Sequence, residues 1–198
     1  LRTNLRVLPE IKVFVRGGVR IAFVGITTPE TFTKSTPAYF MNKAQTKYIY
    51  DILGGEDGQK LYSAVQKAVD KAKCLADVVI GLGHLGVDPS SSPWTSEEVI
   101  AHTTGFDAFI DGHSHTVMTA SKDNNMVQST GTGLAYVGAI VIDNATKSIE
   151  SNGLIDLSAY TKEDATVKAA ADKIISDINA EYGKVFARTD VELNGAKE

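Results

Sequence analysis

Apolar residues in this chain follow two rhythms: short unbroken runs, and stripes spaced by three or four. Ile11 to Val15 reads as a strand, and Gly17-Gly18 marks the tight turn of a hairpin. Val19 to Ile26 is a continuous apolar run, the pattern of a strand buried on both faces. The loop Thr27-Thr28-Pro29-Glu30 follows. Residues 32 to 57 keep no clean period and contain Pro37, Gly54 and Gly55. They read as a long excursion with one short helical turn, in which Tyr39, Phe40, Tyr48 and Tyr50 form a local mini-core. From Gln59 to Cys74 the rhythm is helical, with Leu61, Val65, Ala68, Val69 and Ala72 on one stripe.

Ala76 to Leu82 is the next buried strand and runs into Gly83-His84-Leu85-Gly86. A Ser/Pro-rich loop covers Val87 to Pro93. Thr95, with Glu98 three residues on, makes a capping box for a short helix through Thr103, closed by Gly105 as a left-handed cap. Phe106 to Ile110 is a third buried strand and runs into Asp111-Gly112-His113-Ser114-His115-Thr116. Further strands fall at Met126 to Ser129, Tyr136 to Ile142 and Ser148 to Leu157, the last two joined through Asp143-Asn144. From Thr161 a long helix carries Val167, Ala171, Ile174, Ile178 and Tyr182 on one face and closes at Gly183. Alternating apolar strands and helices predict a parallel α/β core, and the later alternating strands predict an antiparallel or mixed edge.

Composition narrows the function classes. The chain has 198 residues, 43% hydrophobic and 22% charged, an ordinary globular balance sufficient for one domain. A net charge of -4 without a dense Lys/Arg cluster argues against a nucleic-acid polymer as partner. No apolar run approaches the roughly 18 residues of a transmembrane segment. Cys74 is the single cysteine, which excludes an internal disulfide and a cysteine-based zinc site. It is expected as a small buried or half-buried filler. Trp94 is expected to tuck onto the surface of its own domain.

Candidate chemistry lies with histidine. Of four histidines, His84 directly follows one buried strand, and His113 and His115 follow the next. In an open α/β sheet the loops at the carboxyl ends of the strands form the ligand crevice, so neighbouring strands deliver these imidazoles to one place. Neutral imidazole is a common ligand of Zn, Mn and Fe. His102, inside a short helix, reads as a surface or packing residue. Asp111 either orients a histidine from behind or is a solvated turn residue. Three function classes stay open on these residues: a phosphate-ester hydrolase, a different metal hydrolase such as an amidohydrolase, and a non-catalytic α/β binding or scaffold module with incidental histidines.

Three segments, Gly25-Ile26-Thr27-Thr28-Pro29-Glu30-Thr31, Gly83-His84-Leu85-Gly86 and Asp111-Gly112-His113-Ser114-His115-Thr116, stand in the order and spacing of bacterial secreted 5'-nucleotidases. The chain resembles that family of calcineurin-like metallophosphoesterases, which includes 2',3'-cyclic-nucleotide phosphodiesterases. Ser90-Ser91-Ser92-Pro93-Trp94-Thr95 is similar to a loop of its Gram-positive members. The resemblance implies the second half of a four-layer α/β/β/α sandwich with a mixed sheet, ending in a long linker helix. It implies His84 and His113 as ligands of one metal and His115 as a ligand of the other, in a site for two divalent ions, Zn, Mn or similar. It also implies a nucleotide substrate and a location outside the bacterial cytoplasm, extracellular, cell-surface or periplasmic.

The departures from the family pattern shape the expectation. Asp111-Gly112-His113 fits the family's opening Asp-x-His pattern, but the downstream Gly-Asp and Gly-Asn-His that such an opening pair needs do not occur in this chain. The expectation is therefore an excised piece of a longer protein: residues 1–160 as the C-terminal half of the catalytic domain, 161–186 as the linker helix, and 187–198 as the truncated start of a base-binding domain, with its first strand at Ala187 to Leu193. Such a piece has no complete catalytic set, holds its metals partly or not at all, and is inactive alone. It exposes an apolar sheet face that binds the missing N-terminal half or drives self-association.

Overall fold

Gly17 and Gly18 both sit at positive φ, 54° and 81°, the backbone that a two-residue hairpin turn requires. They fold β1 (Ile11–Arg16) antiparallel onto β2 (Val19–Thr27), with Arg16 opposite Val19. The computed structural model describes residues 6–119 and 126–192, in two units, Leu1–Ser158 and Ala159–Glu198. In the first unit β2 pairs parallel with β3 (Val78–His84), β3 with β4 (Ala108–Ile110), and β4 with β6 (Val127–Thr130). The short β5 (Val117–Met118) closes the edge antiparallel to β6, giving the order β1-β2-β3-β4-β6-β5. The mixed α/β sheet expected from the sequence is the one that forms.

One face of this sheet is covered by α2 (Gln59–Leu75), whose stripe Leu61, Val65, Ala68, Val69 and Ala72 is buried with Tyr62. It packs on Ala22, Val24, Ile26, Val79, Phe109 and Val127. Phe109 is fully buried and lies against Gly81 and Gly83, where an added Cβ would meet its ring at 2.3 and 2.6 Å. Small residues on β3 thus leave room for the largest fully buried side chain of this core. The other face holds Val19, Val78, Ile80 and Ala108, covered by Ile140, Ile142 and Ile149. These come from a separate antiparallel pair, β7 (Tyr136–Asp143) and β8 (Ser148–Asp156). Buried Gln128 ties β6 to that pair: its Nε2 donates to Asn152 Oδ1 at 2.7 Å and to the Gly153 carbonyl at 2.9 Å.

The first unit therefore has three layers: helix, six-stranded sheet, and a second sheet of two strands. The second sheet is too narrow to cover the first. Leu82 and Phe14 stay exposed at 48% and 41%, Phe14 set edge-on against Phe23. Burial along β2 accordingly alternates, with Ala22, Val24 and Ile26 buried and Ile21 and Phe23 half-covered. The expectation of a strand buried on both faces is corrected here, because its run of apolar side chains hides the alternation.

Other expectations are corrected as well. Cys74 is exposed, because it follows the last buried stripe position, Ala72, by two residues and so points away from the sheet. In the excursion after β2, α1 (Thr31–Lys34) leads to a 3-10 turn at Pro37–Phe40. Its ring cluster is Phe32 with Phe40 and Tyr48, and Tyr39, Tyr48 and Tyr50 are all exposed. Trp94 does tuck onto its own domain, its Nε1 donating to the Gly55 carbonyl at 2.9 Å. The Thr95 cap forms as expected, accepting from the Glu98 amide, but α3 (Ser96–Ala101) ends at His102, short of Gly105. His102 leaves the helix to stack on Tyr62, ring centroids 4.3 Å apart.

The second unit is built around α4 (Ala165–Tyr182). It starts four residues later than the apolar stripe suggests, because Asp164 caps it by accepting from the amides of Thr166 and Val167. Residues 187–192 form no strand, and 193–198 lie outside the described residues. Among the described residues no helix is long and apolar enough to cross a membrane.

Asp77 joins three elements at the base of the first unit. It accepts from the amide, Nε and a terminal nitrogen of Arg20, and from Lys147 Nζ in the β7–β8 turn. The Arg20 guanidinium and amide, then Lys147, hold its carboxyl well below the ordinary value of 3.8. An unfolded Asp77 takes up a proton at higher pH than the folded one, so its contribution is complete above about pH 4 and is lost as pH falls further. Urea midpoints measured from pH 6 to pH 2 should drop below pH 4, and the drop should be shallower in Asp77→Asn.

Candidate functional site

Parallel pairing sets Thr27 beside His84 and Leu82 beside Ile110, so β2, β3 and β4 all end at one edge of the sheet. The loops leaving β3 and β4 are stitched together there. The Leu85 amide donates to Asp111 Oδ1 at 2.9 Å, and the Val87 amide to Ser114 Oγ at 3.2 Å. Gly86, at φ 74°, lets them approach: a Cβ there would lie 3.1 Å from the Ser114 amide. His113 and His115 both adopt left-handed backbone, φ 89° and 54°. That conformation is uncommon for residues other than glycine and is held only where the surroundings enforce it.

Two of the three candidate histidines meet. His113 Nδ1 lies 3.3 Å from His84 Nε2, with ring centroids 5.0 Å apart and planes at 66°. His113 Nε2, on the opposite side of the ring, lies 3.0 Å from Glu30 Oε2. Glu30 sits in the loop after β2, so three neighbouring strands each contribute one residue. The same Oε2 accepts from the buried Ser91 hydroxyl at 2.6 Å, and Lys34 lies 3.8 Å from Oε1. The Ser91 hydrogen bond, helped by His113 and Lys34, holds the Glu30 carboxyl below its ordinary value against the opposing effect of burial.

His115 is exposed, and neither a hydrogen bond nor a ring contact ties it to His84 or His113. Asp111 is 8% exposed; its Oδ1 holds the Leu85 amide, while Oδ2 is buried without a hydrogen-bond partner. Its observed task is to brace the loop that carries His84. His102 lies away from this edge, on Tyr62. Asp88 gains a task that the sequence did not suggest: its side chain accepts from the Ser90 amide and caps the 3-10 turn at Pro89–Ser91, which presents Ser91. Glu30 and Ser91 are not visible from the histidine pattern alone. The available signal was a carboxylate just past the end of β2, in the sheet that carries the imidazoles.

One distance here matches a shared ion, though the two nitrogens face each other as a hydrogen-bonded pair. Two nitrogens bound to one tetrahedral Zn at about 2.0–2.1 Å stand about 3.4 Å apart, close to the 3.3 Å between His84 Nε2 and His113 Nδ1. Glu30 does not complete the set, since it occupies the opposite ring nitrogen. Among the described residues no group of three or more His, Cys, Asp or Glu side chains is arranged to hold a metal ion.

No family model matches the sequence, and no curated protein matches it. Solved structures do share the fold. A Staphylococcus aureus protein described as a 5'-nucleotidase, solved with alpha-ketoglutarate, superposes at TM-score 0.58 and 18% identity over 89% of this chain and 35% of its own. The calcineurin-like phosphoesterase YfkN of Bacillus subtilis gives 0.57 and 18% over 88% of this chain and 57% of its own. The sulfate thiohydrolase SoxB of Thermus thermophilus, solved with glycerol, gives 0.60 and 17% over 91% of this chain and 30% of its own. The chain thus has the fold of the calcineurin-like phosphoesterases. It spans 30% to 57% of the chains it matches.

Removing the Asp111 brace tests how firmly the two loops are joined. Asp111→Ala leaves the buried Leu85 amide without its acceptor, and the expected loss is about 1–3 kcal/mol in equilibrium urea unfolding.

Proposed function

We propose that this chain is the C-terminal half of the catalytic domain of a two-metal phosphohydrolase of the 5'-nucleotidase type. The observation that carries the reading is the 3.3 Å approach of His84 Nε2 to His113 Nδ1 at the carboxyl edge of the parallel strands, in the sequence setting Gly83-His84-Leu85-Gly86 and Gly112-His113-Ser114-His115. His84 and His113 would hold one divalent ion, and His115 would supply a ligand to the second. Two divalent ions held there would supply activation of a nucleophile and charge stabilisation for in-line displacement at a phosphate. The chain's own contribution is orientation. The braced loops fix where His84 Nε2 and His113 Nδ1 stand, 3.3 Å apart.

The remaining ligands, a bridging carboxylate among them, come from a segment outside this chain. That segment covers the apolar surface around Phe14 and Leu82 that the β7–β8 pair leaves exposed; in its absence the same surface drives self-association. Without a bridging carboxylate two cations cannot be held at the required spacing, so the 198-residue chain hydrolyses nucleotides poorly or not at all. The parent is an exported protein, at the cell surface, in the periplasm or in the medium. SoxB, a sulfate thiohydrolase, carries the same fold, so the fold alone leaves the ester open. The nucleotide assignment rests on the motif resemblance.

Phosphate release from AMP by the intact parent tests the reading. Chelator-sensitive turnover is expected, falling in His84→Ala and His113→Ala by more than the roughly 10–100-fold typical of residues behind metal ligands. His102→Ala should leave it unchanged. Turnover indifferent to the first two substitutions would refute the assignment, and cleavage of amides in place of phosphate esters would move it to the other hydrolase class.

A further inference from the structure

Glu30 touches the candidate metal centre from behind, through the ring of His113. We propose that Glu30, anchored by Ser91, is a positioning residue that fixes the tautomer and orientation of His113, so that Nδ1 is the atom presented beside His84. The inference deepens the reading above and rests on it only in naming what Nδ1 is presented to; the tautomer itself needs no metal.

An ionised carboxylate only accepts hydrogen bonds. A nitrogen held 3.0 Å from Glu30 Oε2 must therefore carry the proton, which places it on Nε2. In a neutral ring the lone pair then lies on Nδ1, the atom 3.3 Å from His84 Nε2. By the same logic, in the metal-free protein His84 Nε2 donates to His113 Nδ1. The carboxylate oxygen is itself held in place. Oε2 accepts the Ser91 hydroxyl at 2.6 Å, and Ser91 is 3% exposed on a turn capped by Asp88. The Ser-rich loop before Trp94 thus acquires a task, reaching across the sheet edge to set one oxygen atom. A carboxylate behind a ligating imidazole raises its basicity and fixes its orientation. The second effect matters here, because left-handed backbone at His113 alone does not determine the rotation of its ring.

Two measurements test this. The first is the histidine-ring proton–nitrogen NMR spectrum of the metal-free 198-residue chain. The wild type should show His113 protonated on Nε2 with a ring proton protected from exchange. Glu30→Ala should lose that protected signal, and Glu30→Gln should keep it, since the amide oxygen still accepts. The second is metal affinity of the intact parent, which should weaken about 10–100-fold in Glu30→Ala and recover at least in part in Glu30→Gln. A wild-type His113 carrying its proton on Nδ1 overturns the proposal, as does a Glu30→Ala protein that keeps both the protected signal and the affinity. If Glu30→Ala does not fold, the wild-type tautomer and the Glu30→Gln spectrum decide. Metal binding unaffected by His84→Ala would instead sink the two-metal reading and leave the tautomer result standing.

Discussion

Parallel pairing of β2, β3 and β4 is the constraint on which the candidate site depends. Side by side and in register, these strands end together, and whatever follows each end is delivered to one edge. Glu30, His84 and His113 are 54 and 29 residues apart in sequence, yet they meet because Thr27 pairs with His84 and Leu82 with Ile110. The register is held in turn by packing. Phe109 fills the space that Gly81 and Gly83 leave on β3, so β4 cannot slide along β3 without driving its ring into a backbone. The Asp111 and Ser114 bonds then lock the loops above the strands.

Much of this arrangement is legible in the residues. The apolar runs before His84 and His113 stop at glycine-bracketed histidines, and neighbouring parallel strands must bring such ends together. The α2 stripe is periodic enough to name its buried positions, and each of them is buried. Other features are hidden for physical reasons. β2 is apolar at both parities, so nothing in its sequence tells which face is poorly covered; that depends on the width of the second sheet. β5 is two residues long and has no pattern to detect. His113 and His115 share an i, i+2 spacing, but two left-handed residues in the loop break the rule that such positions face the same way, and only His113 ends against His84. Cys74 departs from the general tendency of cysteines to be buried, because its phase on the helix sets it off the buried stripe.

Fold and chemistry separate here in an instructive way. Structures sharing this architecture carry names for quite different esters, and the sheet itself supplies no selectivity. What discriminates is held in the loops: which nitrogen of an imidazole is free, what lies behind it, and how far the next donor stands. The Ser91–Glu30–His113–His84 series is a chain of contacts rather than a ring around a point. That explains how two imidazoles can sit at a separation suited to one ion although no complete ligand set is present among the described residues.

The contact between Glu30 and His113 spans 83 residues, and this has a consequence for assembly. Loop-closure entropy makes such a contact late and dependent on everything between its ends. Until α2, β3 and β4 have docked, the carboxylate and its imidazole are unrelated points on a moving chain. The arrangement of this edge is therefore a property of the finished sheet, and a chain emerging from the ribosome could not preorganise that edge before β4 had been made.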